Sequence, residues 1–236
     1  MIGPAAPTQN RLLCSLPKAS QLRLFPYLEP LVLSLGDLLY ESGDLLRNVY
    51  FPTDSIVSLM YLMSDGAPTE MAVVGNDGIV GIAVFMGGES TPSRAVVRSA
   101  GLAYRLPGER LKEEFSRHEA MLRLLLRYTQ SLITQMSQTA VCNRHHAIEQ
   151  QLCRLLLLSL DRLPGNRLTM TQELIANTLG VRREGVTAAA GKLQDAGVIE
   201  YHRGKIRVLD RPRLEKMSCE CYSVVKRECD RLLPYA

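Results

Sequence analysis

Between Thr171 and Asp210 the chain reads TQELIANTLGVRREGVTAAAGKLQDAGVIEYHRGKIRVLD, and this run limits the fold more than any other stretch. Thr171 supplies a hydroxyl that can accept from a free N–H of a first helical turn. Leu174, Ile175, Thr178 and Leu179 then recur at helical spacing. Gly180 permits the left-handed backbone that ends a helix and turns the chain. Arg182 to Ala196 predicts a second helix, with Val186, Ala189, Ala190 and Leu193 inward. Arg182, Arg183, Glu184, Thr187, Ala188 and Lys192 face outward. Gly197 stops this helix. Val198 to Tyr201 and Lys205 to Leu209 alternate like strands, joined by His202-Arg203-Gly204 as a hairpin.

A cap, a helix, a glycine turn, a second helix and a hairpin make a winged helix-turn-helix. A helical hairpin with a solvated charged face is the plainer alternative, but it does not account for the full order. In a helix-turn-helix the first residues of the second helix enter the major groove of DNA. Arg183, Glu184 and Thr187 are therefore the expected base readers. An arginine fork matches O6 and N7 of guanine, and a glutamate can accept from the N4 amine of cytosine. Arg182, Lys192, Arg203 and Lys205 are expected on phosphates, where contacts position the duplex without reading it. The charge supports this division. The 236-residue chain carries a net +4, and from Arg182 to Lys216 nine Lys/Arg stand against five Asp/Glu. The remainder is neutral overall, so the electrostatic footprint belongs to the C-terminal third.

Upstream the pattern differs. From about Val32 to Leu106 short β-type runs (LYESGDLL, VYFPTDSIVSLMYL, MAVVGNDGIVG, RAVV, AYRL) are broken by glycine and aspartate, as in an antiparallel jelly-roll barrel. Residues 11–30 predict one or two short helices leading in. After Pro107 the periodicity turns helical, first from Leu111 to Arg117 and then without proline or glycine from about Glu119 to Asn143. Met121, Leu125, Tyr128, Leu132, Gln135, Thr139 and Cys142 form a heptad-like seam suited to a helix pair. Leu122, Leu126, Ile133, Met136 and Ala140 form a second apolar face, so one face can pack on the barrel and the other on a partner. His146 to Leu163 predicts a further helix, and Pro212 to Leu233 a terminal one. The expected architecture is α+β: a jelly-roll barrel over 1–117, a dimerisation helix over 118–145, and a winged helix-turn-helix with a C-terminal helix over 146–236.

Over nearly its whole length the chain resembles the Crp/Fnr family of bacterial transcription regulators, most strongly in the run from Thr171 to Asp210. The resemblance implies a cyclic-nucleotide-binding-like barrel that senses a signal, a dimer helix that relays it, and Arg183 and Glu184 at the family's base-reading positions. The family's further arginine, four residues after that glutamate, is Ala188 here, which points to a different operator. The family's ribose- and phosphate-binding pattern maps onto Gly81-Ile82 and Arg94-Ala95. Ile82 stands where a glutamate would accept from the ribose 2′-OH, and Ala95 where a serine would hold phosphate. An unpaired buried hydroxyl costs ~1–3 kcal/mol, so cyclic nucleotide is disfavoured, which leaves a small effector of another kind or no ligand at all, with Arg94 then a structural arginine on a strand. An iron–sulfur cluster would need several N-terminal cysteines, and only Cys14 lies there. Nothing marks a haem ligand. The expected partners are double-stranded DNA, a second copy of the chain, RNA polymerase and an unidentified effector.

Other constellations are weaker. Cys142, His145 and His146, with Glu149 one turn on, lack a second pair of ligands for a tetrahedral metal, and a hinge between domains is the favoured reading. Cys219 and Cys221, two apart on a predicted helix, point to different sides and chelate poorly; the role of these two and of Cys229 stays open. Gly75, Gly78 and Gly81 lack the spacing of a dinucleotide fingerprint and read as hairpin turns. No nucleophile elbow, Walker loop or H-E-x-x-H occurs, so no catalytic residues are assigned and an enzyme is not expected. MIGPAAPTQN does not resemble a signal peptide, Leu155 to Leu158 is too short to span a bilayer, and six dispersed cysteines suit a reducing cytoplasm.

Overall fold

Asn10 is completely buried and does two jobs at the start of the chain. Its side-chain oxygen accepts from the N–H groups of Leu12 and Leu13, which caps helix α1 (Arg11–Cys14). Its amide donates to the carbonyls of Pro52 and Gly78, which fastens that helix to the barrel. The structure is a computed structural model that describes residues 6–64, 66, 68–117 and 120–233. After α2 (Lys18–Leu24) come the strands β1 (Glu29–Leu33), β2 (Leu38–Tyr40), β3 (Asn48–Pro52), β4 (Ile56–Leu62) and β5 (Pro68–Val74). A single-turn helix α3 (Ala83–Met86) precedes β6 (Arg94–Ser99) and β7 (Gly101–Pro107).

These strands form two antiparallel sheets, ordered β1-β7-β3 and β2-β6-β4-β5. Their facing residues, among them Phe51, Val57, Val74 and Leu106, fill one core. Burying each such side chain contributes roughly 1.5–3 kcal/mol. The expected jelly-roll architecture is what forms.

Helix α4 (Gly108–Phe115) leads to α5 (Ala120–His145), 26 residues long. The seam suited to a helix pair lies instead against the chain's own barrel. Met121, Leu125, Tyr128 and Leu132 belong to the barrel core, the Tyr128 hydroxyl donates to the Ile79 carbonyl at 3.1 Å, and Gln135 pairs with both backbone groups of Val73. A heptad pattern records one buried stripe without saying what covers it. On the other apolar face Leu126 is 54% and Ile133 57% exposed, whereas Met136 packs against the barrel core.

Gly75 and Gly78 do bound a turn, with Gly78 N–H donating to the Gly75 carbonyl at 3.1 Å, and close packing adds a second reason for them. A Cβ on Gly75 would lie 2.7 Å from Arg162 Cβ, and one on Gly78 would lie 2.5 Å from Tyr128 Oη. Their missing side chains let the loop after β5 approach the two helices that follow the barrel.

The C-terminal unit contains α6 (Ile148–Leu160), β8 (Arg167–Thr169), α7 (Gln172–Leu179), α8 (Arg183–Asp195), β9 (Ile199–His202) and β10 (Lys205–Val208). Strand β8 is an addition to the expected elements; it pairs with β10 to make the sheet β8-β10-β9. The expected single terminal helix is two, α9 (Arg211–Met217) and α10 (Glu220–Leu232). Ser218 donates to the Glu215 carbonyl while the backbone of Ser218 and Cys219 becomes extended. A side-chain bond to the backbone thus competes with continuation of the helix. Helix α10 then runs back along α5. Its Tyr222 and Val225 pack in the C-terminal core, and Leu232 with the following Leu233 in the barrel core. Among the described residues no helix is long and apolar enough to cross a membrane.

Candidate nucleic-acid interface

Helix α7 begins as the sequence predicts, with Thr171 Oγ1 accepting from Leu174 N–H at 3.1 Å. It ends at Gly180, φ +65°, where Val181 N–H donates to the Ala176 carbonyl. This left-handed residue sets the angle to α8, whose Val186, Ala189, Ala190 and Leu193 are buried in the C-terminal core. Gly185 faces α6, and a Cβ there would meet Ile148 Cδ1 at 2.7 Å. Burial of one helix face leaves the other in solvent. Arg182, Arg183, Glu184 and Thr187 are all exposed.

Arg182 is the N-cap residue, and Arg183 and Glu184 open the helix. Thr187 Oγ1 donates toward Gln172 Oε1 at 2.9 Å and the Arg183 carbonyl at 3.1 Å, so its hydroxyl ties α8 to α7. Arg203 and Gly204 form a two-residue turn between β9 and β10, both at positive φ (+47° and +77°). Paired positive φ values match the right-handed twist of a hairpin. The predicted three-residue connection is thus shorter by one, because β9 continues through His202. Tyr201 Oη anchors the wing by donating to the Met170 carbonyl at 2.8 Å.

Arg183 and Arg203 line one open hollow between α8 and the wing, together with Thr171, Gln172, Gln194 and Tyr201. Sequence reasoning misses Gln172, Gln194 and Tyr201. Their polarity is visible, but only the packing of α7, α8 and the wing brings them together. Among the described residues no carboxylate pairs with Arg182, Arg183, Arg203 or Lys205. Lys192 differs, because its Nζ is bound to Glu149 on α6 and holds that carboxyl below the usual carboxylate range. Arg207 reaches Glu200 across the hairpin at 3.5 Å.

The barrel residues of the expected effector pocket lie at the start of α3 and on β6. Gly81 (φ +100°) and Ile82 lead into α3. Arg94 lies on β6 with Nη2 3.4 Å from Glu41 Oε2, and Ala95 is fully buried in the core.

A further group assembles where α5 meets α6. Cys142, His146, Cys219 and Cys221 bring their ligating atoms within 4.8 Å of one another. This overturns the geometric objection to Cys219 and Cys221, since Cys219 precedes α10 in extended conformation and the two share no regular helix side. His145 is exposed and Glu149 is engaged by Lys192, so those two stay outside the group. The hydrogen bond shared by Cys142 and Cys219 holds the Cys219 thiol below its ordinary range and Cys142 above it.

Two family models match the chain: a cyclic nucleotide-binding domain over residues 30–118 and a Crp-like helix-turn-helix domain over residues 150–217. No curated protein matches at a significant level. Among solved structures, FixK2 from Bradyrhizobium japonicum superimposes with a TM-score of 0.68 at 18% identity, covering 81% of this chain and 98% of that one. The c-di-GMP responsive global regulator CLP from Xanthomonas campestris gives 0.64 at 15%, with 82% and 100% covered. A CRP family transcriptional regulator from Thermus thermophilus gives 0.64 at 19%, with 80% and 96% covered. At these identities the likeness is one of fold.

Proposed function

The chain belongs to the Crp/Fnr family of DNA-binding transcription regulators, which are not enzymes, and from that premise we propose how this member reads its target. Two copies pair through the face of α5 that carries Leu126 and Ile133. The pair then sets two α8 helices into major grooves one turn apart. Arg183 and Glu184 read base edges, with Thr187 beside them. Arg182, Arg203 and Lys205 hold phosphates. Lys192 joins them only by leaving Glu149.

One observation carries this reading. The cations at the start of α8 and the tip of the wing lack carboxylate partners among the described residues, whereas Lys192 and Arg207, set farther back, have them. A guanidinium kept free of internal acids meets DNA without first breaking an ion pair.

In this reading the barrel passes a signal through α5 and its contacts with α6, and the DNA-bound dimer acts on RNA polymerase. The effector is not a cyclic nucleotide held in the family manner. Ile82 has no acceptor for a ribose hydroxyl, Ala95 has no donor for a phosphate, and the charge of Arg94 is turned onto Glu41. A small ligand of another chemical class fits these substitutions better.

Selection of bound fragments from a random duplex library, followed by a salt series on the winners, tests the proposal. A two-fold symmetric site should emerge, and log K should fall with log salt by about 0.9 per neutralised phosphate. No enriched sequence and a flat salt response would instead favour a module that docks on protein.

A further inference from the structure

Cys142 and His146 lie at the end of α5, and Cys219 and Cys221 at the start of α10, 77 and 75 positions away in the two close pairs. Cys142 Sγ lies 3.5 Å from Cys219 Sγ, and Cys221 Sγ lies 3.6 Å from His146 Nδ1. All three sulfurs are buried. A zinc ion binds thiolate at ~2.3 Å and imidazole at ~2.0–2.1 Å with tetrahedral angles. Two such bonds span about 3.8 Å between sulfurs and about 3.5 Å from sulfur to nitrogen. The two separations are therefore near the edges of that tetrahedron. We infer that Cys142, His146, Cys219 and Cys221 form a Cys3His site for a single tetrahedral soft cation, with Zn²⁺ as its occupant.

The surroundings suit a metal better than a packed cluster of thiols. His146 turns Nδ1 to the sulfurs and places Nε2 3.3 Å from Glu220 Oε2. A carboxylate behind the distal nitrogen fixes the tautomer and orientation of a metal-bound histidine. Gln151 Nε2 donates to the carbonyls of His146 (2.9 Å) and Cys142 (3.4 Å), which steadies the end of α5. Arg154 is buried on α6, and its Nη2 donates to Thr139 Oγ1 at 2.8 Å, three residues before Cys142 on α5. A disulfide would use two of the four groups and leave an imidazole aimed at a third. A multi-iron cluster would place its own sulfides between the ligands and spread them beyond the observed 4.8 Å.

The site would clamp α10 to α5 at the elbow where α5 passes into α6. Both helices also touch the barrel core, so the ion would set how firmly the DNA-binding unit is held to the barrel. This inference stands apart from the assignment of base-reading residues.

The test uses full-length protein purified without chelator, with metal measured by plasma mass spectrometry. We expect about one zinc per chain. Chelator-stripped protein titrated with Co²⁺ should develop the visible bands of tetrahedral thiolate coordination. Cys221→Ser should lose the metal, whereas Cys14→Ser, exposed and remote, should retain it. Because Cys221→Ser can misfold, Glu220→Gln serves as the second variant. Its side chain is on the surface, and it should weaken zinc about 10–100-fold while leaving the circular dichroism unchanged. Metal-free protein with no Co²⁺ bands, a Cys142–Cys219 disulfide in anaerobically purified protein, iron–sulfur absorbance, or full zinc content in a folded Cys221→Ser would each overturn the inference.

Discussion

Arg98 Nη2 donates to Ser159 Oγ at 2.9 Å, a bond from β6 of the barrel to α6 of the DNA-binding unit. The same guanidinium binds both oxygens of Glu70 at 3.0 Å, and Arg98 is 2% exposed. Beside it Arg162, just past the end of α6, reaches back to Asp77 at 2.7 Å. Two buried charge clusters thus join the halves of the chain, and each charge is tolerated there because it is paired.

Replacing Arg98 by methionine leaves Glu70 buried without its partner. Breaking a buried pair from one side costs about 3–5 kcal/mol. Urea unfolding should show that loss for Arg98→Met and recovery of most of it in Arg98→Met/Glu70→Leu. A single variant within about 1 kcal/mol of wild type would mean that water reaches the pair.

Gly78 admits the ring of Tyr128, with a virtual Cβ 2.5–2.8 Å from three of its atoms. Gly78→Ala should destabilise by about 1–3 kcal/mol, the usual cost of overpacking. Thermal unfolding measures it. A melting point equal to wild type would show that α5 can shift away from the barrel without penalty.

Dimerisation through the open face of α5 predicts that Ile133→Arg yields monomers. Covering each isoleucine is worth about 1.5–3 kcal/mol, and two-fold symmetry counts it twice. Association should weaken by about a hundred-fold or more, with a parallel loss of operator affinity, as read by sedimentation and gel shift. A variant that stays dimeric would move the interface elsewhere.

Arg183→Ala and Lys205→Ala should separate reading from holding. The first should cost about 1–3 kcal/mol on the selected site and relax the preference at one base position. The second should weaken all duplexes alike and lower the salt slope by about one. Equal losses for Arg183→Ala on selected and random duplex would refute its assignment as a base reader.

Whatever neighbouring residues settle among themselves is legible in the chain before it folds. Thr171 as a cap, Gly180 as a helix stop, the buried stripe of α8 and the alternation of the wing strands depend on contacts within a few positions. The individual strands of the barrel are legible too, because alternation and turn residues recur along them, but their order is not, since β1 pairs with β7 and β2 with β6 across most of the barrel sequence. The heptad seam of α5 is visible as buried, but its partner is not, since periodicity does not name the covering surface. Nor can spacing predict that Arg98 finds Ser159, Arg162 finds Asp77, or Cys142 finds Cys219, at separations of 61, 85 and 77 positions. The return of α10 along α5 and the docking of α6 on the barrel make those pairings. In each of them a group too polar or too reactive to be buried alone is buried with a distant partner.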